Sequence, residues 1–215
     1  LYTTEAWTLF MNRLQADGIL SVTRYYRTAD AAGRPVEPLE TYRTIALASE
    51  VLTQRGVENP GDHIMVYRAP TGYPDVDLAT VLVSPDPFSE RDADIVADRA
   101  RELGFVKMLG SHVASDPVFA ALVRKGGPDA AVGALAADIS PPTDNRPFFF
   151  QMANLDTILD GQVGRDELVT RPVLVLGLLS VTVLGLASCC IAVPLLLGRR
   201  RPGPRPAARE VVPLY

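Results

Sequence analysis

The sequence predicts an α/β fold followed by a transmembrane helix, and three observations lead to this expectation. The chain begins with an amphipathic helical pattern that runs directly into strand-forming residues. Two apolar runs in its middle are separated by a stretch rich in turn residues. Near the carboxyl terminus, the 27 residues from 172 to 198 carry no charge. We expect an α/β region over 1–150, a connector over 151–171, the membrane helix, and a loop over 199–215 that enters a truncated next helix.

The first predicted elements are a helix over 3–15 and a strand over 19–26. Thr3 can cap the helix, and its apolar stripe, typical of a helix packed on a sheet, consists of Trp7, Phe10, Met11 and Leu14. Asp17-Gly18 ends the helix, and a run rich in β-branched and aromatic residues follows. A helix and a strand with nothing before them are the later part of an α/β unit. We therefore expect this chain to be a piece of a longer protein.

The middle of the chain predicts one more helix and two neighbouring strands. The helix starts at Leu39 and ends at Arg55-Gly56. The strands cover 63–67 and 78–84, and the residues between them are mostly turn formers. This spacing predicts a hairpin. The family resemblance described below implies that this hairpin is the antiparallel edge of the sheet.

Three shorter elements are predicted after the hairpin. Ser89 and Asp92 have the spacing of a capping box, which indicates a helix that continues to Leu103. A short strand is expected over 105–109. A further short helix is expected in the stretch SDPVFAALVRKGG, residues 115–127.

The uncharged segment from Pro172 to Gly198 is long enough to span a bilayer. At about 1.5 Å per residue it extends roughly 40 Å, whereas a hydrocarbon core is ~30 Å thick. A buried helix of a water-soluble protein rarely stays apolar on every face over such a length. The Arg- and Pro-rich loop that follows ends in the apolar sequence VVPLY, which resembles the beginning of another membrane helix.

Charge and residue content exclude several classes of function. The net charge is −4, with −8 on residues 1–171 and +4 on residues 172–215, and an acidic folded region argues against nucleic acid as a partner. The two cysteines are adjacent in the apolar segment and no metal-ligand spacing occurs, so we expect neither a disulfide nor a metal site. No serine lies in a G-x-S-x-G setting. His63 and His112, the only histidines, are expected at a strand end and in a turn.

The stretch DISPPTDNRPFFF, residues 138–150, is the first candidate for a site. Asp144 can close an Asx-type turn, and Arg146 can pair with Asp138 or Asp144 or bind an anionic group. The three phenylalanines are expected to enter a core or to meet the membrane surface. Two interpretations are open: a structural clasp that joins the folded region to the membrane part, or a ligand site.

The stretch APTGYPDVD, residues 69–77, is the second candidate. Tyr73, Asp75 and Asp77 can receive a cationic amine, and the alternative is an ordinary hairpin loop. Across both stretches, the candidate substrate-binding residues are Tyr73, Asp144 and Arg146.

These motifs together resemble the membrane-fused spermidine synthase-like proteins of bacteria. The opening LYTTEAWTLFMNRLQADGILSVTR is similar to the helix and strand that follow the active-site loop of spermidine synthases. NPGDHIMVYR, LVSPDPFS and DISPPTDNRPFFF, followed by a membrane helix, complete the set. The resemblance covers most of residues 1–198.

The resemblance implies the carboxy-terminal half of a class I methyltransferase-type Rossmann domain in a multi-pass protein of the bacterial inner membrane. Soluble relatives transfer the aminopropyl group of decarboxylated S-adenosylmethionine to putrescine, and their catalytic aspartate and nucleotide site precede the position of Leu1. The catalytic residues are therefore expected upstream of this chain, which by itself would hold no cofactor and be inactive. In the full-length protein the expected cofactor is S-adenosylmethionine or its decarboxylated form, and the expected partners are the lipid bilayer and a small amine.

A fragment over 1–165 would leave one side of its sheet uncovered, so we expect it not to unfold cooperatively.

The chain departs from the soluble synthases at two places. Thr23-Arg24-Tyr25 stands where those enzymes carry a Q-G-E-type sequence, and Val76 stands where a glycine is expected after a Tyr-Pro pair. These departures leave the reaction open between aminopropyl and methyl transfer. The alternative is a non-enzymatic binding, transport or sensor module that retains a Rossmann domain.

The position of the folded region relative to the membrane is also open. The arginine-rich loop after the apolar segment predicts a cytosolic loop, which would put residues 1–171 outside. An adenosyl donor is made in the cytosol, so the enzyme hypothesis requires those residues inside.

Overall fold

The computed structural model describes residues 1–15, 17–30, 32–110, 113–128, 135, 137–152 and 167–199. The chain divides into two units, Leu1–Thr170 and Arg171–Tyr215. The strands are β1 (Leu20–Arg27), β2 (Ile64–Ala69), β3 (Val76–Val83), β4 (Val106–Gly110) and β5 (Val113–Ala114). The helices are α1 (Thr4–Arg13), α2 (Leu39–Gln54), α3 (Glu90–Glu102), α4 (Pro117–Leu122) and α5 (Glu167–Arg199), and a 3-10 turn covers Pro60–His63.

The described strands form one antiparallel sheet in the order β1-β3-β2-β4-β5. β3 is antiparallel to both of its neighbours, with Val83 opposite Leu20 on one side and opposite Ile64 on the other. Consequently β1 and β2 run in the same direction, and both end at the same side of the sheet. We call this side, where Arg27 ends β1 and Ala69 ends β2, the carboxyl edge.

The main core lies between one face of the sheet and helices α1, α2 and α4. α2 is almost entirely buried, because its small residues Ala46, Ala48 and Ser49 allow it to approach the strands closely. The alternating residues of the strands supply the other half of this core, among them Val66 and Val81.

Helix α3 covers part of the opposite face of the sheet. Its Ala100, with Ala93 and Val96 beside it, packs on Met65 and Tyr67 of β2. The first unit is therefore a sheet with helices on both faces, the mixed α/β class that the sequence predicts.

Most predicted elements are confirmed within one or two residues. The predicted capping box of α3 is present: the Asp92 amide donates to Ser89 Oγ at 3.1 Å, and the Ser89 amide donates to Asp92 Oδ2 at 3.0 Å. The strand expected over 105–109 is β4. One prediction is wrong: the hairpin is not at the edge of the sheet, because β4 and β5 extend the sheet beyond β2.

The outer edge of β1 is unpaired among the described residues. In this part of the chain, β1 pairs only with β3. Tyr25 of β1 and Ile19, which precedes β1, are exposed. A free strand edge presents a row of backbone donors and acceptors that a further strand can use.

The apolar helix predicted near the carboxyl terminus is present as α5. Its segment Val175–Leu197 has 23 residues and a mean hydropathy of 2.3, and the side chains described along it are exposed. By length and composition this helix is able to cross a membrane. The hydroxyls of Ser180 and Thr182 bond to carbonyls of the preceding helical turn, at 2.8 Å each, so they remain satisfied without water. Most of the predicted connector, nearly all of the arginine-rich loop and His112 lie outside the described residues.

Candidate functional site

A buried arginine of α2 fixes residues 138–152, which we call the clasp loop. Arg43 is 3% exposed, and its Nε donates to the carbonyl of Ser140 at 2.9 Å. Its Nη1 donates to the carbonyls of Phe149 at 2.7 Å, Gln151 at 2.8 Å and Phe148 at 3.2 Å. One side chain therefore satisfies four backbone acceptors that the irregular loop leaves without a ladder partner. These contacts fasten the clasp loop to α2; the junction with the membrane part, which the clasp interpretation also requires, lies outside the described residues.

Burial lowers the pKa of the Arg43 guanidinium, the negative charge of Asp138 acts in the opposite direction, and Arg146 lowers it further. An arginine normally titrates so far above neutrality that Arg43 stays charged in spite of this shift. A charged donor forms stronger hydrogen bonds to carbonyls than a neutral one, which suits a single anchor for a long loop.

Asp144 connects the clasp loop to the start of α1. Its Oδ1 accepts from the hydroxyl of Thr3 at 2.6 Å, and its amide donates to Glu5 Oε2 at 3.0 Å. Hydrogen bonds from the backbone of Glu5 itself and from that of Asp144 hold the pKa of Glu5 below its usual range. The predicted Asx-type turn is formed by Asp138 instead, whose Oδ1 accepts from the Ser140 amide at 2.9 Å.

Arg146 and two phenylalanines form the exposed part of the clasp loop. The Arg146 side chain is 74% exposed, and its Nη2 lies 3.3 Å from Asp138 Oδ2, one of the two predicted pairings. Phe148 and Phe150 are 69% and 61% exposed, whereas Phe149 between them is buried. The loop therefore places one ring in the core and leaves two rings and a cation at the surface.

Asp138 makes the clasp loop sensitive to acid. Burial by itself raises the pKa of Asp138, but hydrogen bonds from Ser140 and the charges of Arg43 and Arg146 hold it below its ordinary value. The folded state then binds fewer protons than the unfolded state, so this stabilisation is present above about pH 4 and lost as the pH falls through the lowered pKa. We expect Asp138→Asn to lose less stability than the parent on going from about pH 6 to about pH 3. Unfolding midpoints measured at both values test this, with the exposed Asp98→Asn as the control.

One further aromatic ring, that of Tyr2, and a second arginine, Arg24, adjoin the clasp loop. We call Tyr2, Arg24, Phe149 and Phe150 the arginine–aromatic cluster. Arg24 Cζ, on β1, lies 4.0 Å from the ring centroid of Tyr2, 5.3 Å from that of Phe149 and 5.4 Å from that of Phe150. The rings also contact one another: the centroids of Tyr2 and Phe149 are 4.8 Å apart, and those of Phe149 and Phe150 are 5.3 Å apart. Cation–π attraction and ring packing hold this cluster around Arg24, which lies within β1.

A buried tyrosine and a carboxylate link α2 to α4 at the same edge. The Tyr42 hydroxyl donates to Asp116 Oδ2, and Asp116 Oδ1 accepts from the Val118 amide at 2.7 Å, which caps α4. Burial, followed by the hydrogen bond to Asp116 and its charge, raises the pKa of Tyr42, so its phenol stays protonated at neutral pH. Burial likewise raises the pKa of the neighbouring Tyr26 of β1.

The β2–β3 hairpin loop, the second candidate stretch, docks on the end of β1. The Thr28 amide donates to the Asp75 carbonyl at 3.0 Å. Asp77 has two partners within the protein. Arg68 Nε lies 3.6 Å from its Oδ2, and the Thr71 amide donates to its Oδ1 at 3.1 Å. Tyr73 is 70% exposed at the tip of the loop. Of the residues suggested for an amine, Tyr73 and Asp75 are exposed, and Asp77 is half-buried.

Two loops that carry predicted site residues contact β1 or the residue that follows it, and no contact between the two loops is found among the described residues. The clasp loop carries Asp144 and Arg146, the hairpin loop carries Tyr73, and both loops contact the segment 24–28 or its immediate neighbours through the contacts given above. Sequence reasoning missed Arg43 and the role of Arg24. The available signal for Arg43 was its position in α2, where a charged residue stands among residues that are mostly buried.

No group of three potential metal ligands occurs among the described residues. His63, expected at a strand end, is found there: it is buried at the end of the 3-10 turn, and its Nδ1 lies 3.1 Å from the Ser84 carbonyl. Comparisons of this chain with protein-family models, with curated proteins and with solved structures gave no match.

Proposed function

We propose that this chain is the carboxy-terminal part of a membrane-bound transferase with a spermidine synthase-like domain. The proposed donor is an adenosyl sulfonium compound, S-adenosylmethionine or its decarboxylated form, and the acceptor receives a methyl or an aminopropyl group. The proposed location is the bacterial inner membrane, with α5 as one of several membrane helices. The chain by itself is proposed to be inactive.

The strand order carries this proposal. An antiparallel β3 inserted between β1 and β2, which run in the same direction, is the arrangement expected at the end of a class I methyltransferase-type sheet. β4 and β5, which extend the sheet beyond β2, are not part of that arrangement. The strands that hold the donor would then pair along the unpaired edge of β1. In open α/β sheets, ligands bind outside the carboxyl ends of the strands. Here the clasp loop contacts Arg24 of β1, and the hairpin loop contacts Thr28, which follows the last residue of β1.

The geometry suggests a division of roles among the candidate residues. Asp144 is engaged by Thr3, so its proposed role is to position the clasp loop. Arg146 and Tyr73 present accessible polar groups, and their proposed role is direct contact with the acceptor. The catalytic base is proposed to lie before Leu1.

The chemistry of the proposed reaction gives a direct assay. The nucleophilic atom of the acceptor forms a bond to the carbon beside the sulfonium, the carbon–sulfur bond breaks with its electrons going to sulfur, and a base takes the acceptor proton. Methyl transfer then leaves S-adenosylhomocysteine, whereas aminopropyl transfer leaves 5′-methylthioadenosine. The nucleoside product therefore identifies the reaction even before the acceptor is known.

We expect the full-length protein in lipid nanodiscs to release one of these nucleosides from a labelled donor. Tyr73→Ala and Arg146→Ala are expected to lower kcat/KM about tenfold each, since each removes one polar contact to the acceptor. Ile95→Ala, an exposed position on α3, serves as the matched control. Absence of both nucleosides, together with no binding of 5′-methylthioadenosine, would make the transferase proposal wrong.

The second candidate is a non-enzymatic binding, transport or sensor module. It is favoured by the charge asymmetry around the apolar segment, which predicts that residues 1–171 face away from the cytosol. A reporter fused after residue 162 distinguishes the two. An exported folded unit would favour the module, because no cytosolic donor would reach it.

A further inference from the structure

Arg24 is a cation without a hydrogen-bond acceptor in the part of the chain that the structure describes. Its Nε is buried and has no partner, and no ion pair to Arg24 is found among those residues. Buried polar atoms in folded proteins are nearly always hydrogen-bonded, so such an atom needs a specific explanation.

The aromatic neighbours of Arg24 do not meet this need. Arg24 Cζ lies over the Tyr2 ring, 4.0 Å from its centroid, which is a cation–π contact. The N–H groups of a guanidinium point outward in its plane, where they require oxygen acceptors. None of these ring contacts is a hydrogen bond to an oxygen, so Arg24 Nε remains without such a partner among the described residues.

The nearby carboxylates are committed elsewhere. Asp144 accepts from Thr3, Glu5 accepts from Thr4 and from the Asp144 amide, and Asp138 is bonded to Ser140 and Arg146. The second buried cation of this region, Arg43, shares the Phe149 ring with Arg24, at 5.9 Å and 5.3 Å from its centroid. Arg24 and Arg43 thus place two positive charges beside the Phe149 ring, and an anion bound there would be attracted to both.

We propose that Arg24 binds the carboxylate of a small amphipathic substrate at the carboxyl edge. A planar guanidinium pairs with both oxygens of a carboxylate, and the half-buried Tyr2 and the exposed Phe150 ring supply an apolar surface for the body of the molecule. This inference rests on the proposed function. It makes the acceptor a carboxylate-bearing molecule in place of the small amine expected from the sequence.

The test uses the full-length protein in nanodiscs and three probes of the same shape. Phenylacetate, 2-phenylethanol and phenethylamine carry an anionic, a neutral and a cationic head group on one aromatic body. Their dissociation constants are measured by ligand-observed NMR. We expect phenylacetate to bind most tightly, and Arg24→Gln to weaken its binding about tenfold while leaving 2-phenylethanol nearly unchanged.

Two variants complete the design. Arg24→Lys keeps the charge but loses the planar pair of donors, so its affinity for phenylacetate should lie between those of the parent and Arg24→Gln. Arg99→Gln on α3 removes an exposed arginine and should leave all three constants unchanged. Equal or tighter binding of phenethylamine to the parent, no binding of phenylacetate at millimolar concentration, or an unchanged constant in Arg24→Gln would each overturn the proposal. If Arg24→Gln fails to fold, the head-group ranking of the parent and the Arg24→Lys result still decide it.

Failure of this inference is distinguishable from failure of the proposed function. Binding of 5′-methylthioadenosine, which has no carboxylate, reports on the donor site alone. Retained nucleoside binding with no preference for phenylacetate rejects the anion site only. A preference for phenylacetate that depends on Arg24, without nucleoside binding, supports the anion site and rejects the transferase.

Discussion

Replacing Arg43 by methionine is expected to lower the free energy of unfolding of the first unit by about 3 to 5 kcal/mol. The methionine fills a similar volume but donates no hydrogen bond, so the carbonyls of Ser140, Phe148, Phe149 and Gln151 lose their shared donor. We expect the clasp loop to detach before the sheet unfolds, because its anchor is one side chain. Hydrogen exchange followed by mass spectrometry measures this, since it reports peptides over 138–152 separately from the strands.

Two variants sharpen the Arg43 experiment. Arg43→Lys retains the charge but offers a single ammonium to carbonyls spread over the clasp loop, so we expect an intermediate loss. Arg99→Met makes the same change at an exposed position and should stay within about 0.5 kcal/mol of the parent. Unchanged exchange over 138–152 in Arg43→Met would show that the loop is held by other contacts.

Replacing Trp7 by alanine is expected to destabilise the first unit by about 3 to 5 kcal/mol. Trp7 is 1% exposed and belongs to the core that α1 shares with α2 and the sheet, so its removal leaves a large cavity. α1 also positions Tyr2 and Thr3, and its loosening should weaken the bond from Thr3 to Asp144. We therefore expect faster hydrogen exchange in both α1 and the clasp loop.

The matched control for Trp7 lies on the same helix. Leu9 is 56% exposed, so Leu9→Ala removes an apolar side chain without opening a cavity and should change stability by less than about 0.5 kcal/mol. A similar loss in both variants would mean that helix propensity, and not packing, determines the stability of α1.

Local elements of this fold were predictable because their signals are local. The capping box at Ser89, the turn residues between β2 and β3, and the long apolar segment each depend on residues within one element. The antiparallel order of the sheet was not predictable in the same way. The apolar pattern of β4 indicated a strand. Nothing in that pattern showed that β4 would pair with β2.

The site was predictable only in part for the same reason. The composition of 138–150 indicated a clasp, with Asp144 and Arg146 as its polar residues. Its anchor, Arg43, lies 97 positions before Ser140, and no local pattern connects the two. Arg24 lies among alternating residues of a strand, where an arginine normally indicates a solvent-facing position, and only the assembled fold surrounds it with rings.

The sheet order has a consequence for how the protein is made. β3 fills the position between two strands that leave the ribosome before it, and the pairing of Thr23 with Thr80 joins residues 57 positions apart. The bond between Thr3 and Asp144 spans 141 positions, so α1 acquires its final neighbour only when nearly all of the first unit has been synthesised. Non-local contacts of this kind slow folding. β1 can therefore pair with β3 only after residues 76–83 have been synthesised.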